Sequence, residues 1–245
     1  MGKLNEWRVV EEREIPLVGR QAEVYALARA IRSRQPRLIL GLTGIGKTRL
    51  LEEALSRYHG PHSLLCAPGV LHELLVRLAE VLRCRIARFP TLSDATSIAL
   101  KGAVLDALKA EPRPILLEDV EHADPRMYRF LQEVYHAPGN CLIVTARSRE
   151  CLGHLRKLLW DPREEISLKP LMPPECKKLF EAATSKFGLG SLDLEDFQHK
   201  VLTSARGNPG QILAMCRLAA RREYQDGRHI KFLPLRMDVL PAFVG

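Results

Sequence analysis

Short apolar runs alternate with amphipathic stretches through the first two thirds of the chain. Apolar residues recur at helical spacing over residues 21–34, and a short apolar run at residues 37–41 predicts a first strand. Further strands are predicted at residues 62–67, 115–117, 141–145 and 165–168, and further helices at residues 47–58, 70–83, 100–110, 125–135 and 150–159. This alternation predicts an α/β fold with a central parallel five-stranded sheet flanked by helices.

The pattern changes after about Pro170, where helical spacing continues without intervening strands. Helices are predicted at residues 173–187, 194–205 and 209–224. The sequence thus predicts a core at residues 1–169 and a small helical domain at residues 170–226. Residues 227–245 form a C-terminal tail of uncertain structure, in which residues 230–235 fit either a strand or an extended segment.

The segment between the first strand and the second helix fits the phosphate-binding loop pattern G-x-x-x-x-G-K-[ST] at every fixed position. Glycines allow several backbone N–H groups to face one anion, and the following helix adds its positive N-terminal end. In this pattern the lysine reaches the β- and γ-phosphates and the hydroxyl holds magnesium. The candidate nucleotide-binding residues of this segment are Gly41, Thr43, Gly44, Ile45, Gly46, Lys47, Thr48 and Arg49.

Two carboxylates follow the predicted strand at residues 115–117. The carboxyl ends of parallel strands share one edge of a sheet, so Glu118 and Asp119 are expected at the same edge as the phosphate loop. Glu118, with Thr48, is the candidate metal ligand, and Asp119 is the candidate for orienting the attacking water. The order Glu before Asp leaves open a shift of one position between these two roles.

Composition narrows the class of protein. The chain of 245 residues carries a formal net charge of +8, which favours partners that are polyanions. Its lysines and arginines are spread along the sequence, so a merely basic ATP-binding protein remains an equal alternative. Six cysteines without a C-x-x-C pair indicate a reducing cytoplasm, and neither a membrane span nor a secretory signal is expected.

Several motifs together resemble the AAA-type and STAND-type P-loop ATPases, a group that includes origin-recognition-like, MalT-like and transposition-regulator-like ATPases. The resemblance runs from about residue 16 to about residue 220. Its segments are the entry motif at residues 17–21, the acidic motif at 117–125, the sensor-one strand at 142–147, the strand leading to the lid at 166–171 and the lid motif at 207–209.

The resemblance implies a P-loop NTPase fold with a C-terminal helical lid, ATP and Mg²⁺ as ligands, and adenine as the base. It places Val18, Gly19 and Arg20 against the adenine and Pro209 of the lid near the nucleotide, and it makes Thr145 or Arg147 the group that senses the γ-phosphate. Gly210 stands where many members carry a sensing arginine, which favours the STAND-like lid. Arg156 and Arg163 are candidates for an arginine finger that reaches a neighbouring subunit, although a surface role is favoured for each.

The function expected from the sequence is magnesium-dependent ATP hydrolysis with Lys47, Glu118, Asp119, Thr145 and Arg147 in the catalytic roles. The first hypothesis is a nucleotide-controlled switch that forms homo-oligomers and associates with double-stranded DNA. The second is a STAND-like signalling ATPase that binds a protein client and hydrolyses ATP slowly. A third is a degenerate scaffold that binds ATP, against which the intact Lys47 and Thr48 argue.

Overall fold

The computed structural model describes residues 15–66 and 69–243. The expectations about residues 1–14, Ala67 and the last two residues therefore lie outside the described residues. The described chain divides into two compact units. The sheet unit comprises residues 22–41 and 51–167, and the helical unit comprises residues 15–21, 42–50 and 168–243. The predicted domain limits near residues 169 and 226 remain predictions.

Five parallel strands form the centre of the sheet unit, as the sequence predicts. They lie in the order β2-β3-β4-β1-β5, and all four pairings between neighbours are parallel. Every residue of β3 and β4 is buried, which is expected of central parallel strands covered on both faces. The strands are β1 (Arg37–Leu40), β2 (Ser63–Cys66), β3 (Pro114–Glu118), β4 (Cys141–Ala146) and β5 (Glu165–Ser167).

Helices precede or connect these strands. Helix α4 begins at Ser97, three residues before the predicted start, because the side chain of its N-cap Thr96 accepts a hydrogen bond from the Ala99 N–H. Asp124 begins α5 in the same way by accepting from Met127 N–H at 2.7 Å. The helices are α1 (Gln21–Arg32), α2 (Lys47–Ser56), α3 (Leu71–Val81), α4 (Ser97–Ala110) and α5 (Pro125–His136).

The prediction of a regular helix at residues 150–159 is wrong. Residues Glu150–Lys157 form 3₁₀ turns that are interrupted at Gly153, whose φ is 57°. A Cβ at Gly153 would lie 2.7 Å from the Ala123 carbonyl oxygen, and His154 N–H donates to that same oxygen at 3.1 Å. This segment therefore follows the loop after β3 instead of continuing as a regular helix.

Four helices pack around the apolar core of the helical unit. They are α6 (Pro173–Lys186), α7 (Leu194–Ala205), α8 (Pro209–Ala219) and α9 (Phe232–Val239), with a short antiparallel pair β6 (Gln225–Asp226) and β7 (His229–Ile230) before α9. Helix α8 ends five residues before the predicted end, and a 3₁₀ turn (Arg222–Tyr224) follows it.

The strand or extended segment expected at residues 230–235 is wrong, because most of it belongs to α9. Leu235 and Val239, four residues apart, are both buried in the core of the helical unit, as one face of a helix requires. Pro234 lies in the first turn of α9, where a missing N–H breaks no intrahelical hydrogen bond. In the part of the chain that the structure describes, no helix combines the length and apolar character needed to cross a bilayer.

Candidate nucleotide site

The glycines of the phosphate-binding loop adopt backbone conformations that a side chain would strain. Gly44 has φ 79° and Gly46 has φ 102°. Between them, Ile45 is 2% exposed, and its N–H donates to the Leu42 carbonyl oxygen at 3.1 Å. The apolar anchor and the two glycines give the loop the tight curvature that the sequence motif predicts.

Helix α2 begins within this motif. The first helical residue is Lys47, Thr48 follows it on the exposed surface, and Leu50 N–H donates to the Gly46 carbonyl oxygen at 2.9 Å. Lys47 is 8% exposed, and its ammonium lies 3.5 Å from the Leu42 carbonyl oxygen. An ammonium group and the N-terminal end of a helix therefore lie close together at the start of α2, which suits an anion.

The helix that follows the lid motif makes two hydrogen bonds to the phosphate loop. Asn208 donates from Nδ2 to the Thr43 carbonyl oxygen at 2.9 Å, and Gly210 N–H donates to the Gly44 carbonyl oxygen at 2.9 Å. Asn208 also begins α8, since its Oδ1 accepts from Gln211 N–H at 3.2 Å. Sequence reasoning placed Asn208 in the lid motif but did not give it this role.

The loop has no room for a side chain at Gly44. A Cβ there would lie 2.8 Å from Asn208 Oδ1 and well inside van der Waals contact with the ring of Phe243. Pro209 is close as well, since its Cγ would lie 3.9 Å from a Cβ at Gly46. Phe243 had no motif to mark it, and its contact with the loop emerges only from the fold of the chain after α9.

The entry motif belongs to the helical unit too. Val18 packs against the core of this unit, and Arg20 is 6% exposed and donates to the Lys169 carbonyl oxygen. Gly19 has φ 68°, and a Cβ there would collide with the Glu175 carboxylate. The entry motif is thus fixed by glycine geometry and a buried arginine.

The acidic motif lies at the carboxyl end of β3 in the sheet unit. Glu118 is 5% exposed, whereas Asp119 is exposed and has a left-handed backbone with φ 45°. Thr145 of β4 makes two hydrogen bonds to this turn. Its Oγ1 accepts from Asp119 N–H and its carbonyl oxygen accepts from Val120 N–H, both at 2.9 Å. Thr145 therefore fixes the backbone that carries Asp119.

Arg147 follows β4 and forms an ion pair with Glu121 at 2.8 Å. The hydrogen bond from the guanidinium to the Glu121 carboxylate raises the pKa of Arg147 above its ordinary value. An arginine is protonated at neutral pH in any environment, so the ion pair does not change the charge of Arg147 there. Gly41 continues β1 at the same edge of the sheet, since its N–H donates to the Ala146 carbonyl oxygen at 3.2 Å.

The structure gathers the predicted site residues into two sets, one in each unit. Arg156 and Arg163 are exposed on the segment between β4 and β5, so each is accessible to another molecule. In the helical unit lie Val18, Gly19, Arg20, Thr43, Gly44, Ile45, Gly46, Lys47, Thr48, Arg49 and Pro209, and in the sheet unit lie Gly41, Glu118, Asp119, Thr145 and Arg147.

Comparison with solved structures identifies the fold. The ADP form of the ORC2 protein of Aeropyrum pernix matches 93% of this chain and 70% of its own, with a TM-score of 0.63 and 16% identity. The ORC1 protein of the same organism, in complex with DNA, matches 93% of this chain and 66% of its own, with a TM-score of 0.56 and 17% identity.

A STAND protein of Pyrococcus horikoshii with a tetratricopeptide repeat sensor matches 94% of this chain but only 33% of its own, with a TM-score of 0.52 and 18% identity. The chain thus spans about two thirds of the ORC chains and one third of the STAND chain. No protein-family model and no curated protein matches the sequence. These likenesses confirm the fold predicted from the sequence, a central parallel five-stranded sheet flanked by helices.

Proposed function

We propose that this chain binds ATP with Mg²⁺ and hydrolyses it as a nucleotide-controlled switch. The observation that carries the proposal is the loop at Gly44–Lys47, in which two glycines with positive φ lead into a helix that begins at a lysine. This combination concentrates backbone N–H groups, a helix N-terminus and an ammonium on one small volume, which favours the β- and γ-phosphates of a nucleotide.

The donor set fits magnesium. The Thr48 hydroxyl and the Glu118 carboxylate are hard oxygen ligands of the kind that this ion prefers, and burial of Glu118 favours a cation beside it. When bound, the ion would neutralise charge that develops on the phosphates. Asp119 orients the attacking water, with its position fixed by the hydrogen bond from its N–H to the Thr145 hydroxyl.

In the same proposal Lys47 stabilises phosphate charge, and Thr145 and Arg147 report the state of the γ-phosphate. The residues Val18, Gly19 and Arg20 support adenine, and Pro209 brings the lid toward the loop. The exposed Arg156 and Arg163 are candidates for completing a neighbour's site in a homo-oligomer, where an arginine in trans accelerates phosphoryl transfer.

Association with DNA is the proposed use of this switch. It rests on the net charge of +8, which favours a polyanion, and the DNA-bound ORC1 protein is a precedent within the same fold. The second candidate is a STAND-like signalling ATPase with a protein client. Gly210 favours this candidate, because its N–H bonds the phosphate loop at a position where a longer side chain would separate the two backbones.

Retention of labelled ATP by the full chain, with and without Mg²⁺, tests the nucleotide site. Wild type is expected to retain and hydrolyse ATP, and Lys47→Ala is expected to lose both because phosphate charge is no longer balanced. Failure of wild type to retain ATP at millimolar concentration with the metal present would refute the proposal. Turnover that rises on adding duplex DNA favours the first use of the switch, whereas turnover indifferent to DNA favours the signalling alternative.

A further inference from the structure

A groove in the helical unit lies between residues of α7 and α9. It encloses about 600 Å³, and a second cavity of about 580 Å³ shares Lys200 and Phe232 with it. Each volume lies within the range of pockets that hold small ligands, roughly 300–1,000 Å³. The two cavities lie on either side of shared side chains, and together we call them the α7/α9 groove.

The charged side chains that line the α7/α9 groove are cationic. Lys200 is neutralised by an ion pair with Asp196, four residues earlier on α7. Arg206, Arg236 and Lys231 have no ion pair with any described residue, and all three are exposed. Since no carboxylate lines either cavity within the described part of the chain, the groove attracts anions.

Helical spacing explains why these groups face one groove. Lys200 and Ser204 are separated by one turn of α7, and Phe232 and Arg236 by one turn of α9. The carboxylate nearest to Arg236 in sequence, Asp238, accepts a hydrogen bond from the Tyr224 hydroxyl and does not line the groove. The basic character of the groove is therefore a property of its facing helix surfaces.

A polar group within the wall lacks a protein partner. The Oγ of Ser204 is shielded from solvent and has no hydrogen-bond partner among the described residues, although Ser204 lines the groove. Shielded hydroxyls normally find a partner, so this one is an observation that needs an explanation. Rotation of the serine side chain toward the groove would expose this hydroxyl, and a phosphate oxygen there would accept its hydrogen bond.

We propose that the α7/α9 groove binds the phosphodiester backbone of a nucleic-acid strand. Arg206, Arg236 and Lys231 contact phosphates along the groove, and Phe232 supplies apolar surface to a sugar or base. A strand fits better than one small anion, because the cations are spread over two neighbouring cavities. The inference rests on the proposed association with nucleic acid and gives that association a location away from the nucleotide loop.

Fluorescence anisotropy with the full chain tests the groove. The probe is a labelled single strand of about 20 nucleotides, longer than the roughly 4–16 that one small domain covers. The variant is Arg206→Gln with Arg236→Gln, and the control is Lys177→Gln with Lys178→Gln, exposed lysines of α6 that do not line the groove. Both variants lower the net charge by two and are checked for folding by thermal unfolding.

Loss of two phosphate contacts is expected to weaken binding about tenfold or more at roughly 50 mM salt, and to lower the log–log salt slope by about 0.7 for each contact. The lysine control is expected to bind as wild type does. An equal loss of strand affinity in both variants would overturn the groove proposal, because net charge alone would then explain the binding. Displacement of the strand by pyrophosphate at micromolar concentration would also overturn it, in favour of a site for a small anion.

Two further measurements separate the outcomes. Ser204→Ala is expected to leave unfolding unchanged while weakening strand binding, an effect that a merely structural serine would not produce. If wild type binds no single strand at low salt, the groove proposal fails, and if it also binds no duplex, the proposed association with DNA fails with it. ATP retention by the same preparation would then show whether the nucleotide site survives on its own.

Discussion

Asn208 connects the helical lid to the phosphate loop through two different atoms. Its Oδ1 caps α8 by accepting from Gln211 N–H, and its Nδ2 donates to the Thr43 carbonyl oxygen at 2.9 Å. Asn208 is 9% exposed, and both hydrogen bonds are partly buried. Separating the two contributions tests whether the lid holds the loop in its binding conformation.

The contribution of each hydrogen bond to the free energy of unfolding follows from typical values. Loss of a side-chain N-cap costs about 1 kcal/mol. Loss of the hydrogen bond to Thr43 costs about 1 kcal/mol more. Asn208→Ala removes both and is expected to lower the free energy of unfolding by about 2 kcal/mol. If the bond to Thr43 preorganises the loop, its loss weakens ATP binding by about 1 kcal/mol, which is about fivefold.

Asn208→Ser is the informative variant. Serine retains an oxygen that caps the helix, but it is too short to reach Thr43 and brings no charge near the phosphates. We expect the free energy of unfolding to fall by about 1 kcal/mol, half the loss in Asn208→Ala, and ATP affinity to fall about fivefold, measured by denaturant titration and calorimetric ATP binding. Wild-type ATP affinity in Asn208→Ser, with the cap intact, would refute the argument that the lid preorganises the loop.

Three further changes probe other parts of the chain. Gly44→Ala places a Cβ against Asn208 and Phe243 at a backbone φ of 79°. It is expected to abolish ATP retention while circular dichroism shows a retained fold. Normal ATP retention by this variant would contradict the argument from crowding. Thr145→Val removes the hydroxyl that accepts from Asp119 N–H. The rate of hydrolysis should therefore fall more than the affinity for ATP in steady-state assays. Equal losses of rate and affinity would contradict a positioning role for Thr145. Burial raises the pKa of the Cys216 thiol to about 12, so folding favours the neutral thiol and stability falls as pH rises above the ordinary thiol pKa, by about 1 kcal/mol at pH 10; denaturant titrations should show a weaker decline in Cys216→Ala, and an identical decline would refute this.

The sequence predicted the elements that local pattern determines. The strands β3 and β4 are continuous apolar runs, and the glycine spacing of the loop demands a strand before it and a helix after it. The acidic pair was placed at the end of β3 by the same logic, and the structure has both carboxylates there. In each of these cases residues close in the sequence determine the outcome.

Features that depend on distant partners were missed. Helix α9 forms from a mixed segment because Leu235 and Val239 are buried in the core of the helical unit, which no local pattern reveals. The break at Gly153 depends on the Ala123 carbonyl oxygen. The hydrogen bond between Asn208 and Thr43 joins residues that are 165 positions apart. Each miss arises where a tertiary contact overrides or adds to the local preference.

The contacts of the lid imply that nucleotide and nucleic acid influence each other under the proposed function. Helix α7 ends at Ala205, and only Arg206 and Gly207 separate it from Asn208, which bonds the loop. A strand that holds Arg206 and a nucleotide that orders Thr43 and Gly44 therefore act on one short segment of chain. Linkage between two binding sites is reciprocal. If bound ATP raises the affinity for the strand by some factor, the bound strand must raise the affinity for ATP by the same factor. A switch of this kind needs no movement of a distant domain, because the lid motif itself joins the two binding surfaces.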